Sequence, residues 1–141
     1  MGMLTSDSII LTPLPRIETQ GGDILHALRC NDHSFVGFGE AYFSWIDYGA
    51  VKAWKRHTRM TMNLIVPFGN VRFVFYLGSD RFRVEEIGEA RYQRITVPPG
   101  LWFGFQGCSQ SRSLVLNLAD MIHDPKEAER LSEANINFNW S

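Results

Sequence analysis

The sequence predicts an all-β fold, an antiparallel sandwich or barrel with one short C-terminal helix. Three observations carry this. Some nine short apolar or alternating runs recur at 8–12-residue spacing with turn signals between them. The chain has 10 Phe, 4 Trp and 45% hydrophobic residues, which suits a β-rich core with aromatic-lined concavities. Only one segment has the start signals of a helix. The length of 141 residues suits a single domain over 1–141, with an N-terminal arm at 1–22, a helix at 125–132 and a tail at 133–141.

In order, Ser8–Leu11 reads as an edge strand within an arm punctuated by Pro13, Pro15, Gly21 and Gly22. Ile24–Arg29 opens after Gly22-Asp23. Glu40–Ile46 is aromatic and ends at Asp47-Tyr48-Gly49. Val51–His57 is extended. Thr61–Val66 is apolar on both faces, and Pro67–Asn70 turns it into Val71–Tyr76, rich in aromatic and β-branched residues. Arg81–Ile87 alternates charged and apolar residues, as a half-exposed strand does. Tyr92–Val97, a Pro98-Pro99-Gly100 corner, Leu101–Phe105 and Leu114–Leu118 complete the set. In Pro125–Leu131, Asp124 suits an N-cap, Pro125 the first helical position and Glu127 the first turn.

The net charge of −1 gives no electrostatic case for nucleic acid or a membrane surface. The amino terminus lacks the pattern of a signal peptide and no window is apolar enough to span a bilayer, so a cytoplasmic location is expected. Cys30 and Cys108 stand far apart and read as two buried thiols rather than a disulfide or a zinc motif.

The stretch Lys52–Asn63 is the most cationic of the chain. Lys52, Lys55, Arg56 and Arg59 surround His57, with Trp54 among them. Lys55 and His57 are two apart, so an extended strand sets both on one face. A partly buried lysine among cations has a lowered pKa and can act as a base or as a donor to an enolate, while His57 moves a proton. Lys55 and His57 are therefore the candidate catalytic residues. Lys52, Arg59 and Arg72 suit a diphosphate. Trp54, Trp102 and Phe105 can stack on a base or sugar face, and Asn63 is counted with the substrate-binding residues. The competing reading takes Lys55 and Arg59 as solvated edge charges and His57 as a hydrogen-bonded wall residue.

The spacing has a further meaning. Gly49, five residues, Lys55-x-His57, four residues, Met62, six residues and Gly69 resemble the first motif of the cupin jelly rolls. Pro98-x-Gly100-x-x-Phe103 resembles the second. Of the motif's metal-ligand positions only His57 keeps a ligand side chain. Lysine, methionine and phenylalanine are poor partners for a divalent ion, so no metal and no cofactor are expected. Within the cupins the chain resembles the metal-free dTDP-4-dehydrorhamnose 3,5-epimerases, through Val51–Lys55, Gly69–Val74 and Pro99 to Gly104-Phe105. It also resembles the sugar-nucleotide 3,4-ketoisomerases, through Ala53-x-Lys55-x-His57 and Pro98–Trp102.

That resemblance implies a homodimeric jelly roll. It implies an epimerase or isomerase acting on a nucleotide-linked, dTDP-linked 4-keto-6-deoxy sugar in surface-polysaccharide synthesis. The reaction moves a proton next to the ketone. The alternative is a non-catalytic barrel that binds the sugar nucleotide; a metal-dependent cupin is weaker. Three family roles are altered. Lys55 stands where the family has its histidine base. Leu114–Asp120 lacks the acidic tyrosine of the late strand, leaving Tyr42 or Tyr76 as the opposing acid. The carboxylate that holds the base comes from a C-terminal extension that this shorter chain is expected to lack.

Overall fold

The structure, a computed structural model, describes residues 4–141. Twelve strands follow in order: β1 (Ile10–Pro13), β2 (Arg16–Ile17), β3 (Ile24–Leu25), β4 (Glu40–Ile46), β5 (Val51–His57), β6 (Met62–Phe68), β7 (Asn70–Tyr76), β8 (Phe82–Gly88), β9 (Gln93–Val97), β10 (Trp102–Gly107), β11 (Ser113–Ala119) and β12 (Ala128–Arg130). Two five-stranded sheets pack face to face, ordered β1-β9-β6-β11-β4 and β12-β5-β10-β7-β8, beside a small β2–β3 ribbon. This is the jelly roll that the cupin resemblance implied, and every strand pairing is antiparallel. The inner faces make the core. Phe73, Phe75, Val71 and Val66 are fully buried there together with Ile87 and Ile95. Among the described residues no helix is long and apolar enough to cross a membrane.

The expected helix at 125–132 is absent, and the reason is local. Asp124-Pro125-Lys126-Glu127 is a β-turn, closed by Glu127 N–H donating to the Asp124 carbonyl at 3.0 Å. The Asp124 carboxylate accepts from Lys126 N–H at 3.0 Å. Asp at the first and Pro at the second position serve a turn as well as they serve a helix start. An isolated helix of two turns has little stability of its own. The chain instead continues as β12 on the open edge of β5, pairing Ala128 with His57, Glu129 with Arg56 and Arg130 with Lys55.

Two smaller expectations also change. Only Ile24–Leu25 of the early strand is extended pairing, because it meets nothing but the two residues of β2. Cys30 is an exposed thiol rather than a buried one, and Cys108 is half-buried; neither forms a disulfide.

A bulge shapes the site. Along β10, Phe103 pairs with Lys55, but the next residue, Gly104, pairs with Ala53, so β5 carries Trp54 as an extra residue. A one-residue bulge reverses the alternation of faces on either side of it. Phe105 then pairs with Lys52. Lys52, which strict alternation would send to the face opposite Lys55, therefore shares the inner face with Lys55 and His57. Gly104 permits the close approach: a Cβ there would lie 2.6 Å from the Ala53 Cβ.

Candidate active site

A cavity of about 410 Å³ opens between the sheets, on the side where β4 and β12 are the sheet edges. Its volume lies within the range of small-molecule sites. One wall is Lys52, Ala53, Lys55 and His57 of β5 with Phe103 and Phe105 of β10; Arg130 and Leu131 flank it. The other is Tyr42 and Ser44 of β4, Met62 and Leu64 of β6, and Val115 and Asn117 of β11. Lys55, His57, Met62 and Phe103, the four positions aligned with cupin ligand sites, thus converge on one cavity. Three of them present an ammonium, a thioether and a phenyl ring.

His57 is 3% and Glu127 2% exposed. The Glu127 Oε1 accepts a 2.7 Å hydrogen bond from His57 Nδ1. The other carboxylate oxygen accepts from the backbone N–H groups of Arg59, at 3.0 Å, and Met60, at 2.9 Å. The Glu127 carbonyl accepts from Thr58 N–H and Thr58 Oγ1 at 2.8 and 2.7 Å. The β-turn before β12 delivers this carboxylate under the end of β5. Burial pushes its pKa up, but the hydrogen bonds from His57 and the two backbone amides outweigh that and hold it at about 2. Glu127 is an anion at neutral pH and only accepts hydrogen bonds, so the His57 proton sits on Nδ1.

The other imidazole nitrogen is free. His57 Nε2 is buried with no hydrogen-bond partner in the protein, in a ring that lines the cavity and stacks on Phe103 at 6.1 Å. Burial lowers the His57 pKa below 6.5, against the opposing effect of Glu127, and the charges of Lys55 and Arg130 lower it further. At pH 7 the ring is neutral, with the Nε2 lone pair available to the cavity. A carboxylate behind one nitrogen and an open second nitrogen make a general base.

Lys55 is half-buried beside it. Burial lowers its pKa below 10.5, and Arg130, its like-charged cross-strand partner, lowers it further; Glu127 acts the other way. Lys52 differs, since its Nζ donates to the Trp45 carbonyl at 2.8 Å. Across the cavity the Tyr42 hydroxyl accepts from Asn117 Nδ2 at 3.0 Å. That bond occupies an oxygen lone pair and leaves the phenolic proton to donate.

Of the candidate catalytic and binding residues singled out in the sequence, Tyr42, Lys52, Lys55, His57 and Phe105 meet at this cavity. The others have different surroundings. Arg59 pairs with Asp124 at 2.9 Å on the surface. Arg72 donates to Gln106 and, at 2.6 Å, to the Trp140 carbonyl, which ties down the tail. Asn63 accepts from Thr96 Oγ1 at 2.5 Å within the protein. Trp54 borders the cavity, yet its ring is buried against Trp140 at 5.4 Å and Phe82 at 6.4 Å, and its N–H donates to the Glu133 carbonyl at 3.1 Å. Trp102 joins the same outer cluster, with the Arg56 guanidinium 4.6 Å from its ring centre. Tyr76 packs there too, 5.3 Å from Phe82. Phe138 and Trp140 of the tail pack into this cluster and cover Trp54.

Sequence reasoning missed Glu127 and Arg130. The resemblance implied a carboxylate beside the base that the chain was expected to lack; Glu127 stands in hydrogen-bond contact with His57. The helical reading of 125–132 hid it. No cluster of three or more His, Cys, Asp or Glu able to hold a metal occurs among the described residues. The acid and imidazole at the site are bonded to each other.

No protein-family model matches the chain, and no curated protein matches it. Solved structures do. A dTDP sugar isomerase from Desulfovibrio desulfuricans G20 is 35% identical over 95% of this chain and 91% of its own, with a TM-score of 0.89. A sugar 3,4-ketoisomerase from Thermoanaerobacterium thermosaccharolyticum, in complex with TDP, is 16% identical over 94% of each chain, with a TM-score of 0.78. A dTDP-4-dehydrorhamnose 3,5-epimerase from Sulfolobus tokodaii is 19% identical over 93% of this chain and 81% of its own, also at 0.78. At that identity the last two show the fold alone.

Proposed function

The chain belongs to the family of the dTDP-sugar isomerases, and from that premise we propose that it isomerises a nucleotide-linked 4-keto-6-deoxy hexose by moving a proton next to the ketone. One observation carries the reading. In the cavity, His57 is neutral, held at Nδ1 by the Glu127 anion and unpartnered at Nε2.

His57 Nε2 takes the proton from a carbon beside the ketone, and the C–H electron pair becomes the enolate. Lys55 stands at the carbonyl, where the negative charge of the enolate develops. Tyr42 on the opposite wall returns a proton to the other face of that carbon, which inverts it. Tyr42 on β4 thus takes the role that a late-strand tyrosine has in the epimerases, and Asn117 of β11 orients it. Lys52 and Arg130 serve the diphosphate at the cavity mouth, where Arg130 is exposed. The names of the isomerase and of the TDP complex support thymidine diphosphate as the nucleotide.

The test is a panel of nucleotide-linked 4-keto sugars in deuterium oxide. The expected result is incorporation of one deuterium on a carbon next to the ketone, with inversion there. Measurable binding without exchange of any sugar would leave a sugar-nucleotide binding barrel instead of an enzyme.

A further inference from the structure

We infer that Lys55 acts covalently, as an amine that condenses with the substrate ketone to an iminium, rather than as a fixed positive charge beside it. The inference rests on the proposed reading, which supplies the ketone. Its grounds are geometric. Lys55 lines the cavity two residues from the base His57, on the same strand face. Among the described residues its Nζ makes no side-chain hydrogen bond or salt bridge, whereas Arg56 and His57 beside it are bonded to Glu129 and Glu127. Lys52 of the same wall is hydrogen-bonded to Trp45. A lysine kept only as a charge is stabilised by an anion, yet the residue directly across from Lys55 is Arg130. Glu127, the anion whose charge acts on Lys55, is already engaged by His57 and two backbone amides. Half-burial and a facing cation both favour the neutral amine, the means by which lysines become nucleophiles toward carbonyls.

The chemistry balances without an oxidant or reductant. The Lys55 nitrogen attacks the ketone carbon, and the carbonyl π pair moves to oxygen, which takes a proton from the nitrogen. The resulting hydroxyl leaves as water with a second proton from solvent, giving a carbon–nitrogen double bond with a positive charge. His57 Nε2 removes the proton from the adjacent carbon. That C–H pair becomes the carbon–carbon double bond of an enamine as the iminium π pair returns to nitrogen. Reprotonation at carbon restores the iminium. Water then hydrolyses it to the isomerised ketone and the free amine. The iminium is a stronger electron sink than the ketone, which compensates for the lysine standing where the related epimerases have a histidine.

The test is trapping with sodium cyanoborohydride, which reduces iminium ions in preference to ketones, in the presence of a dTDP-linked 4-keto-6-deoxy hexose. The expected result is one adduct per chain, with the mass of the sugar nucleotide less one oxygen, mapped to Lys55. It should be absent from Lys55→Arg, which keeps the charge, and that variant should lose deuterium exchange. Exchange by the unmodified protein without an adduct would overturn the covalent role and leave the proposed function standing. So would an adduct at Lys52, or full exchange by Lys55→Arg. Absence of both exchange and adduct would overturn the proposed function, and the inference with it.

Discussion

Replacing His57 with asparagine is expected to slow deuterium exchange into the sugar by about 10²–10⁴-fold, the usual contribution of a general base. Asparagine suits this test because its amide nitrogen falls near the position of Nδ1 and can still donate to Glu127, while nothing replaces the lone pair of Nε2. The proposed function assigns the nucleotide to Lys52 and Arg130 rather than to His57, so its dissociation constant should change by no more than a few fold. Calorimetric titration with dTDP, run beside the exchange assay, separates the two effects. A variant that exchanged at the full rate would remove His57 from the chemistry.

The second large effect is expected on stability. One Glu127 oxygen accepts from His57 and the other from two backbone N–H groups. Alanine leaves all three donors without that partner, two of them buried, and even glutamine can offer an acceptor to only one side. Removing one member of such a buried, hydrogen-bonded pair costs about 3–5 kcal/mol. Chemical denaturation should show that loss for Glu127→Ala, and exchange should fall by about 10²-fold as the imidazole loses its orientation.

The same interaction has a pH signature. The folded-state pKa of Glu127 lies below its ordinary 4.5, at about 2. Its stabilisation is therefore complete above pH 4.5 and is lost as the pH falls toward 2. The shift corresponds to about 3 kcal/mol. Unfolding free energy measured across that window should fall more steeply in the native protein than in Glu127→Gln. Equal slopes would mean that the carboxylate is not held as described.

Much of this site was readable in the order of residues, because spacing along a strand is a local property. Glu40–Ile46 and Val51–His57 were expected as strands and are strands with those bounds. The spacing of Lys55, His57, Met62 and Phe103 brings all four to one cavity, although three of the side chains no longer suit a metal. The remaining features depend on contacts distant in sequence. Glu127 meets His57 across 70 positions, and Asp124-Pro125 announces a turn and a helix start equally well. The bulge at Trp54 arises from pairing with β10, so alternation alone misplaces Lys52. Trp54 and Trp102 are aromatic residues on strands with both faces covered. Such strands give no periodicity to tell the lumen from the outer wall, and the tail that buries Trp54 begins some 80 residues later. Arg59 and Arg72 were grouped with Lys52 by charge, but charge does not reveal that Asp124 and the Trp140 carbonyl already claim them.

At the centre of the account is a neutral His57, protonated at Nδ1 by its bond to Glu127 and open at Nε2. Long-range proton–nitrogen correlation NMR on protein labelled with ¹⁵N at histidine reads both nitrogens directly during a pH titration. The account predicts a protonated Nδ1 and an unprotonated Nε2 at pH 7, with a titration midpoint below 6.5. An Nε2-protonated ring, or a midpoint above 6.5, would contradict it.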